Sequence, residues 1–465
     1  MRWLVILPLV WFQVALAAEP QALSQLITSY KYESQPESYY SIDERMAFWQ
    51  VPSISISTFK NGQVDWSYVV GLVGKEGKQA NQNTRYQVAS ISKPVTALIV
   101  LRAMEKGLID LDANVQPLLA PDFAKVVKQP VTLRQLLSHR AGFNHVGYIG
   151  VESELPLPSL VSYTRSDAQL GGLKQDSALG EFRYSNGGYI LIQHVLEKVF
   201  NKPFEAIADQ EVFKPLQMRH SSFEQPSVTE ASGSYAFAYR FGVWVPKGWH
   251  KYGAKSAAGL WTTPNDLSKL LLAVHFAYLG KQESWLTQQS IQRINYPETM
   301  FMGLGFFRSS GIKEPYVFHG GINYGFESHF VLYPNLGTGA AVLTNGQKGD
   351  QLALEVIRAI SQVENWPDYP LNQTEVFEND ETELKRYVGR YKYDDSFYAD
   401  VFIRNGMLYV QGFQQDPYVM HKIADNLYKP FEFESTFRFE FSDEGEITGL
   451  TQNSSYFNGF AKKVR

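Results

Sequence analysis

Alternating apolar and polar positions predict a sheet that is assembled from two distant parts of the chain. Ser53–Ser57 alternates with a period of two, and Asn61-Gly62 supplies a hairpin turn before Val64–Val73, the returning strand. Three strand-like segments follow much later, at Val317–Gly320, His329–Tyr333 and Gly339–Thr344. We therefore expect one antiparallel sheet built from both ends of this region.

Helical patterns dominate between these strands. Val95–Lys106 is apolar around most of its circumference and stops at Gly107, which predicts a buried helix. Further helices are predicted at Thr132–Ser138, Tyr189–Val199, Leu267–Ala277 and Leu352–Val363. The pattern predicts an α/β domain of the α+β kind over residues 18–365, with a helical block inserted between the strands.

The composition changes after a polar stretch, residues 366–381, which contains Pro367 and Pro370 and is interpreted as a linker. Beyond it, Phe397–Ile403 and Met407–Gln411 flank an Asn-Gly turn, and Phe437–Phe441 alternates strictly. Residues 382–465 are therefore predicted to form a small all-β domain with a barrel-like arrangement.

The first residues have the pattern of an export signal. A basic start at Met1-Arg2 precedes the mostly apolar run Trp3–Val14 and the small-x-small sequence Ala15–Ala17. This order predicts a secretory signal peptide over residues 1–17 and a secreted or periplasmic protein. An uncleaved membrane anchor is the alternative, but the run is shorter than the ~20 apolar residues that a span needs. No other segment is long and apolar enough, so we expect no integral membrane span in the mature chain.

Charge and composition narrow the classes of partner. The chain has 43 Lys and Arg against 47 Asp and Glu, a net charge of −4, and no basic run stands out, so a nucleic-acid partner is not expected. Cysteine is absent, which excludes disulfides and thiol chemistry. The histidines show no metal-binding spacing, so we expect no metal and no cofactor. A small-molecule or peptide substrate is the expected partner, and the sequence leaves the oligomeric state open.

The strongest chemical signal is Ser90-Ile91-Ser92-Lys93, at the entry to the buried helix. Residues three apart share a helix face, so Lys93 can take the proton that makes the Ser90 hydroxyl a nucleophile if burial lowers its pKa. The helix N-terminus also offers free N–H groups to an oxyanion. The alternative is a capping serine followed by a solvated lysine.

Two further segments could complete a site. Tyr184 and Asn186 precede a helix, where the phenol could share a proton relay with Lys93, and the amide could hold Lys93 and a substrate carbonyl. The alternative is an Asn-Gly turn beside a core tyrosine. His319-Gly320-Gly321 ends a strand, where the glycines allow a substrate to lie against the strand edge. The alternative for His319 is a core or turn histidine.

In this order and at these intervals, the three segments resemble the serine β-lactamase and penicillin-binding-protein-like family. The similarity is to its class C β-lactamase, D-alanyl-D-alanine carboxypeptidase and esterase-like members. Thr132–Phe143 and Ala258–Leu267 are similar to two further blocks of the family. The resemblance extends from about Ile54 to Val363 and implies a β-lactamase-like fold.

The resemblance also implies roles for the site residues. Ser90 would be the nucleophile, Lys93 its partner, and Tyr184 the base of acylation that also helps to activate water. The expected substrate-binding residues are Asn186, His319, Gly320 and Gly321, and the expected oxyanion hole is made by the backbone N–H groups of Ser90 and Ile322.

One departure from the family bears on the substrate. His319 stands where many members have a lysine that favours substrates bearing a carboxylate. We therefore expect an exported hydrolase that forms an acyl-enzyme on Ser90 and cleaves a small amide, peptide or ester, of the D-amino-acid peptide or esterase type. The alternatives are a true β-lactamase, a D,D-carboxypeptidase, or a non-catalytic penicillin-recognising protein of the same fold.

Overall fold

The computed structural model describes most of the chain after the expected signal peptide, and residues 1–17 lie outside the described part. The described residues are 19–32, 39–146, 149–165, 172–282, 284–295, 298–299, 301–309, 314–371, 373–393, 398–412, 417–430, 435–454 and 458–464.

A six-stranded antiparallel sheet carries the fold of the first part. Its strands, in chain order, are β1 (Ser53–Lys60), β2 (Gln63–Gly71), β3 (Phe307–Arg308), β4 (Val317–Asn323), β5 (Phe326–Tyr333) and β6 (Thr338–Thr344). Their order across the sheet is β3-β4-β5-β6-β1-β2. Asn61 and Gly62 both have positive φ, as the tight turn between β1 and β2 requires. The predicted sheet from both ends of the region is confirmed, because β6 pairs with β1.

The described part of this region contains six helices of eight or more residues. Five of them are α1 (Ile42–Trp49), α2 (Ser92–Glu105), α3 (Asn186–Phe200), α4 (Pro264–Tyr278) and α5 (Gly349–Val363); the sixth spans Gln288–Asn295. Shorter helices span Pro121–Ala124, Leu133–Leu137, Phe204–Ala208, Lys255–Ala258 and Glu381–Tyr387.

Strand alternation divides the core into two layers. Phe330 and Leu332 of β5 join the larger apolar cluster with α2, α3 and α4, whereas Val331 and Tyr333 join a second cluster with α1 and α5. Every residue of α2 from Ser92 to Leu101 is buried, as its all-round apolar pattern predicted. The sheet is therefore a middle layer, with the helical block on one face and α1 and α5 on the other.

The C-terminal part is a closed barrel of eight antiparallel strands. They are β7 (Gly389–Lys392), β8 (Tyr398–Arg404), β9 (Met407–Gly412), β10 (Tyr418–Ala424), β11 (Leu427–Lys429), β12 (Ser435–Phe441), β13 (Ile447–Ser454) and β14 (Asn458–Val464). Pairing of β7 with β14 closes the ring. The predicted all-β, barrel-like tail is confirmed.

The stretch interpreted as a linker has structure of its own. Thr374–Val376 is a strand that pairs in parallel with Tyr30–Tyr32, near the start of the described chain. A cavity of about 470 Å³ lies between these two strands and the barrel, lined by aromatic side chains such as Tyr40, Trp49 and Tyr409. It contains none of the site residues that the sequence predicts. Within the described ranges, no helix combines the length and the apolar composition that a membrane crossing needs.

Candidate active site

Ser90 lies in a tight turn directly before the buried helix α2. The turn spans Ala89–Ile91, and Val88 anchors it by donating its N–H to the Leu260 carbonyl at 3.0 Å. Ala89 has φ of +47°, in the left-handed region that a residue with a side chain rarely adopts. Such strained backbone persists where the surrounding structure holds it, often at functional sites. The turn keeps Ser90 partly exposed while its helix is buried.

Lys93 lies one helical turn behind Ser90 and is completely buried. Its Nζ is 3.0 Å from Ser90 Oγ and donates to the Ala257 carbonyl at 2.9 Å. Burial without a carboxylate partner lowers the pKa of Lys93 well below its ordinary value. A neutral amine at hydrogen-bond distance from a hydroxyl can accept its proton, so the pair has the chemistry that the sequence pattern indicated.

Tyr184 faces the same two residues. Its ring lies 4.9 Å from Lys93 Nζ, measured to the ring centre. Burial raises the pKa of Tyr184, and a hydrogen bond with Ser90 opposes that shift. The phenol is therefore protonated in the resting site and bonded to the hydroxyl of Ser90. The sequence-predicted residues Ser90, Lys93 and Tyr184 are brought together.

His139 supports the tyrosine from behind. Its ring centre is 4.4 Å from that of Tyr184, and its Nδ1 accepts the Ser185 N–H at 3.0 Å. Burial lowers the pKa of His139 well below its ordinary value, so the ring stays neutral. This histidine belongs to the Thr132–Phe143 block and packs against the proton relay itself.

Asn186 opens α3 on the other side of Tyr184. Its Nδ2 lies 3.3 Å from His145 Nε2 and donates to the Val146 carbonyl at 3.3 Å, so the amide is held by this loop and not by Lys93. Its Oδ1 is buried and has no hydrogen-bond partner among the described residues. His145 also lines the pocket, and burial lowers the pKa of its ring to about 4.

His319 lies inside β4 and is almost completely buried. Its Nδ1 is 2.6 Å from the Gly320 carbonyl oxygen. Because a carbonyl can only accept, Nδ1 carries the proton, and Nε2 of the neutral ring is an acceptor. Nε2 has no partner in the described part of the chain. Burial lowers the pKa of His319 to about 3, and Lys93 adds to the effect.

The glycine pair lets β4 approach the Ser90 turn. A Cβ on Gly321 would overlap the Val88 carbonyl oxygen and lie 3.1 Å from the Ser90 nitrogen. Only glycine fits this approach. Ile322 follows, with its side chain 57% exposed at the mouth of the pocket. The backbones of Ser90 and Ile322, the two expected donors to an oxyanion, thus lie on adjoining segments.

These residues surround one pocket of about 430 Å³. Its described lining residues are Ser90, His145, Tyr184, Asn186, Ala258, Phe307, His319, Gly320, Gly321, Ile322, Asn323, His329 and Asp350. Every residue that the sequence assigned to the site except the buried Lys93 lines it, and Lys93 contacts Ser90 from behind.

Six of the residues that line the pocket were not predicted from the sequence, and one of them is Ala258. His145 and His329 show no metal-binding spacing, and no sequence motif marks Phe307, Asn323 or Asp350 as site residues. The alternation of β4 and β5 could have pointed to His329, since it pairs across the sheet with Gly320. Asn323 donates to the Ala258 carbonyl at 3.0 Å and fastens β4 to the neighbouring block.

Comparison with known proteins places this site in a family context. The family model described as Beta-lactamase matches residues 41–364. Among curated relatives, Protein flp of Staphylococcus aureus (strain COL) is 26% identical over 332 residues, 67% of this chain and 63% of that protein. The chain therefore spans a little less than two thirds of the length of this relative.

Solved structures share the fold. The octameric penicillin-binding protein homologue from Pyrococcus abyssi has a TM-score of 0.63 at 23% identity, covering 90% of this chain and 98% of that one. The D-alanine carboxypeptidase AmpC from Burkholderia cenocepacia has a TM-score of 0.55 at 19% identity, covering 69% of this chain and 96% of that one. The first similarity extends over most of the chain, beyond the residues that the family model matches.

Proposed function

The chain belongs to the Beta-lactamase family, a family of serine hydrolases, and from this premise we propose that it forms an acyl-enzyme on Ser90 and cleaves a small amide, peptide or ester. The observation that carries the proposal is the buried amine of Lys93, 3.0 Å from Ser90 Oγ. A lysine with no carboxylate partner costs free energy to bury, and its lowered pKa supplies a base where a nucleophile needs one.

Acylation begins when Ser90 Oγ attacks the substrate carbonyl carbon. Its proton passes to the neutral amine of Lys93, with Tyr184 sharing the relay through its hydrogen bond to Ser90. The negative charge on the carbonyl oxygen is stabilised by the backbone N–H groups of Ser90 and Ile322. The relay then returns the proton to the leaving amine or alcohol as its bond to the carbonyl carbon breaks, which leaves the acyl group on Ser90.

Deacylation repeats these steps with water. The neutral amine of Lys93 takes one proton from the attacking water, with the protonated phenol of Tyr184 relaying it, while the same N–H groups hold the second oxyanion. The proton returns to Ser90 Oγ as its bond to the acyl carbon breaks and the acid leaves. His139 is a positioning residue in this scheme, since it contacts the tyrosine ring and not the substrate.

The substrate follows partly from His319. A neutral histidine in place of lysine gives the pocket no permanent positive charge for a substrate carboxylate. This favours neutral or amine-bearing amides and esters, of the D-amino-acid peptide or esterase type. The carboxypeptidase named among the fold relatives keeps D,D-peptides in the set to be tested, and β-lactam hydrolysis and penicillin binding without turnover are the remaining alternatives.

Export belongs to the same proposal. It is supported by the apolar run Trp3–Val14 and the Ala15–Ala17 pattern. Sequencing the N-terminus of the protein recovered from each cell fraction tests it. A start at residue 18 or 19 in an exported fraction supports the proposal, and an intact N-terminus in the cytoplasm contradicts it.

The activity is tested by labelling and then by turnover. Native protein and the Ser90→Ala variant are incubated with a fluorophosphonate probe, and the exposed serine variant Ser24→Ala serves as the matched control. We expect labelling of native protein and Ser24→Ala but not of Ser90→Ala. A panel of D-aminoacyl amides, D-Ala-D-Ala peptides, short-chain esters and a chromogenic cephalosporin then identifies the reaction. Labelling without turnover of any substrate would favour the non-catalytic binding protein.

A further inference from the structure

The catalytic pocket contains one formally charged side chain among its described lining residues, and it is an acid. Asp350 lies in the first turn of α5 and reaches the same pocket as Ser90. None of the described lining residues is lysine or arginine. Burial lowers the pKa of Lys93, which lies behind Ser90, and so favours its neutral form. A cleft lined by one sign of charge attracts groups of the opposite sign.

Asp350 reaches the pocket because Gly320 has no side chain. Gly320 is paired with His329 across β4 and β5. A Cβ on Gly320 would lie 3.2 Å from His329 Nδ1 and 3.4 Å from Asp350 Oδ1. A longer side chain would therefore cover both groups. The glycine leaves the carboxylate open to a molecule lying along β4.

The contacts of Asp350 leave it able to accept a further hydrogen bond. Its Oδ1 is 3.2 Å from His329 Nδ1, and its side chain is 22% exposed. Within the described chain, His329 is its one salt-bridge partner. This contact uses Oδ1 alone, and a carboxylate has several lone pairs, so the group can accept a further hydrogen bond from a ligand.

We infer that Asp350, held by a hydrogen bond from His329, forms a cation subsite of the catalytic pocket, which binds a primary ammonium group of the substrate. The inference rests on the proposed function, because it names the substrate class of the same site. An ammonium group donates charge-assisted hydrogen bonds to a carboxylate, and these are stronger than neutral ones. The preferred substrates are then amides or esters that carry a free amine.

The neutral state of His319 supports this class, because the ring adds no positive charge that would repel an ammonium group. His319 Nε2 is an acceptor, because Nδ1 donates to the Gly320 carbonyl. Nε2 is itself shielded from the pocket, so the exposed carboxylate of Asp350 provides the acceptor that a substrate N–H group can reach. A substrate carboxylate would meet an acid and a neutral ring.

The presence of an acid at position 350 also has a purely structural explanation, and the test must distinguish it from ligand binding. An acid in the first turn of a helix interacts favourably with the helix dipole. Asp43 occupies the same second position in α1, is exposed, and is remote from the pocket lining. Asp43→Asn therefore removes an equivalent helix charge without changing the pocket and is the matched control for Asp350→Asn.

The test compares two ligands of one shape. Phenylpropylamine and phenylpropanol are titrated calorimetrically into native protein, Asp350→Asn and Asp43→Asn near neutral pH, where the amine is protonated. Both are small enough for a pocket of about 430 Å³. In native protein and Asp43→Asn we expect the amine to bind roughly fivefold to tenfold more tightly than the alcohol, about 1 kcal/mol. In Asp350→Asn the ratio should fall to about one.

Each outcome bears on the inference independently of turnover. An unchanged ratio in Asp350→Asn, or an equal loss in Asp43→Asn, overturns the cation subsite, and so does the absence of any preference in native protein. Should Asp350→Asn fail to fold, Gly320→Val replaces it, because its side chain would cover the carboxylate and must also abolish the preference. Failure of the proposed function appears separately, as absence of probe labelling at Ser90.

Discussion

Gly321 packs its backbone directly against Val88, so that a Cβ at this position would overlap the Val88 carbonyl oxygen. Val88 directly precedes the turn that carries Ser90, and Gly321 precedes Ile322 in β4. The contact therefore joins the two segments whose N–H groups are expected to hold the oxyanion. Small displacements between such donors and the reacting carbonyl are costly, because the stabilisation depends on geometry.

Gly321→Ala should therefore lose most of its activity. The added methyl group must push β4 away from Val88, and such overpacking costs about 1–3 kcal/mol of stability. We expect kcat/KM for the best ester to fall at least a hundredfold, the usual order for loss of one oxyanion donor. Probe labelling of Ser90 and thermal unfolding are measured together, so that activity is read on folded protein.

Gly74→Ala is the matched control for that substitution. Gly74 has an extended backbone, and a Cβ there would meet only an ordinary contact, 3.9 Å from the Phe237 ring. Both its activity and its unfolding temperature should be unchanged. Native-like turnover by Gly321→Ala would show that β4 need not approach Val88 so closely, and Ile322 would lose its place in the oxyanion hole.

Lys93→Met should remove activity and change how stability depends on pH. Burial lowers the folded-state pKa of Lys93, so between that value and about 10.5 the unfolded chain binds one proton more than the folded chain. Native stability therefore rises with pH in this window by up to about 1.4 kcal/mol per pH unit relative to Lys93→Met. As pH falls through the window, the native protein loses this stability and the variant does not.

Denaturant unfolding of both proteins at several alkaline pH values measures this difference. Methionine has approximately the volume of lysine, so changes in packing should contribute little to the way the difference in unfolding free energy varies with pH. A constant difference in the free energy of unfolding would mean that Lys93 is charged in the folded protein, and it could not then be the resting base. Probe labelling of the native protein should also decline with acid as Lys93 takes up a proton.

The sequence predicted the residues that local geometry brings together. Ser90 and Lys93 share a helix face because they are three apart, and the pattern needed no knowledge of the fold. Strands and helices with clear periodicity were likewise predicted close to their observed bounds. The hairpin of β8 and β9 follows from its Asn-Gly turn.

Residues joined only by tertiary structure could not be predicted in this way. His329 meets Gly320 through the register of β4 and β5, and Asp350 enters the pocket because α5 begins beside them. Closure of the barrel depends on β7 pairing with β14, about seventy residues later in the chain. Thr374–Val376 forms its strand only because Tyr30–Tyr32 lies beside it. Such facts depend on long-range packing, which local patterns do not encode.

Glu327→Gln should change how the free energy of unfolding depends on pH. Glu327 accepts the Asp350 N–H at 3.0 Å, and burial raises its pKa to about 7. Because the folded chain holds this proton more tightly, its contribution to stability is complete below about 4.5, the ordinary value, and is lost as pH rises through about 7. The glutamine variant lacks this dependence.

The free energies of unfolding of native protein and Glu327→Gln, compared across this range, test the assignment. The variant should gain relative stability with rising pH, by no more than about 1.4 kcal/mol per pH unit, and the difference should level off in mild alkali. Glu298→Gln is the control, because it removes a different carboxylate, one that contacts Arg134 and Arg140. A flat difference for Glu327→Gln would mean that its carboxylate is solvated in the folded protein.

His319→Lys should move substrate preference towards carboxylates. His319 lies in the pocket beside Lys93 and is neutral, so at present it gives a substrate carboxylate no ionic partner. An ammonium group in its place would donate a charge-assisted hydrogen bond, stronger than a neutral one by about 1 kcal/mol. The ratio of kcat/KM for a matched acid and amide should then rise roughly fivefold to tenfold in favour of the acid.

His319→Gln is the control for that change, because it keeps a polar side chain in β4 without adding charge. Its acid-to-amide ratio should stay near that of the native protein, whatever happens to its overall rate. A rise in both variants would show that removing the ring, and not adding the charge, alters the preference. If neither ratio moves, His319 does not face the distal end of the substrate, and the absence of lysine at this position no longer argues against β-lactam or D,D-peptide substrates.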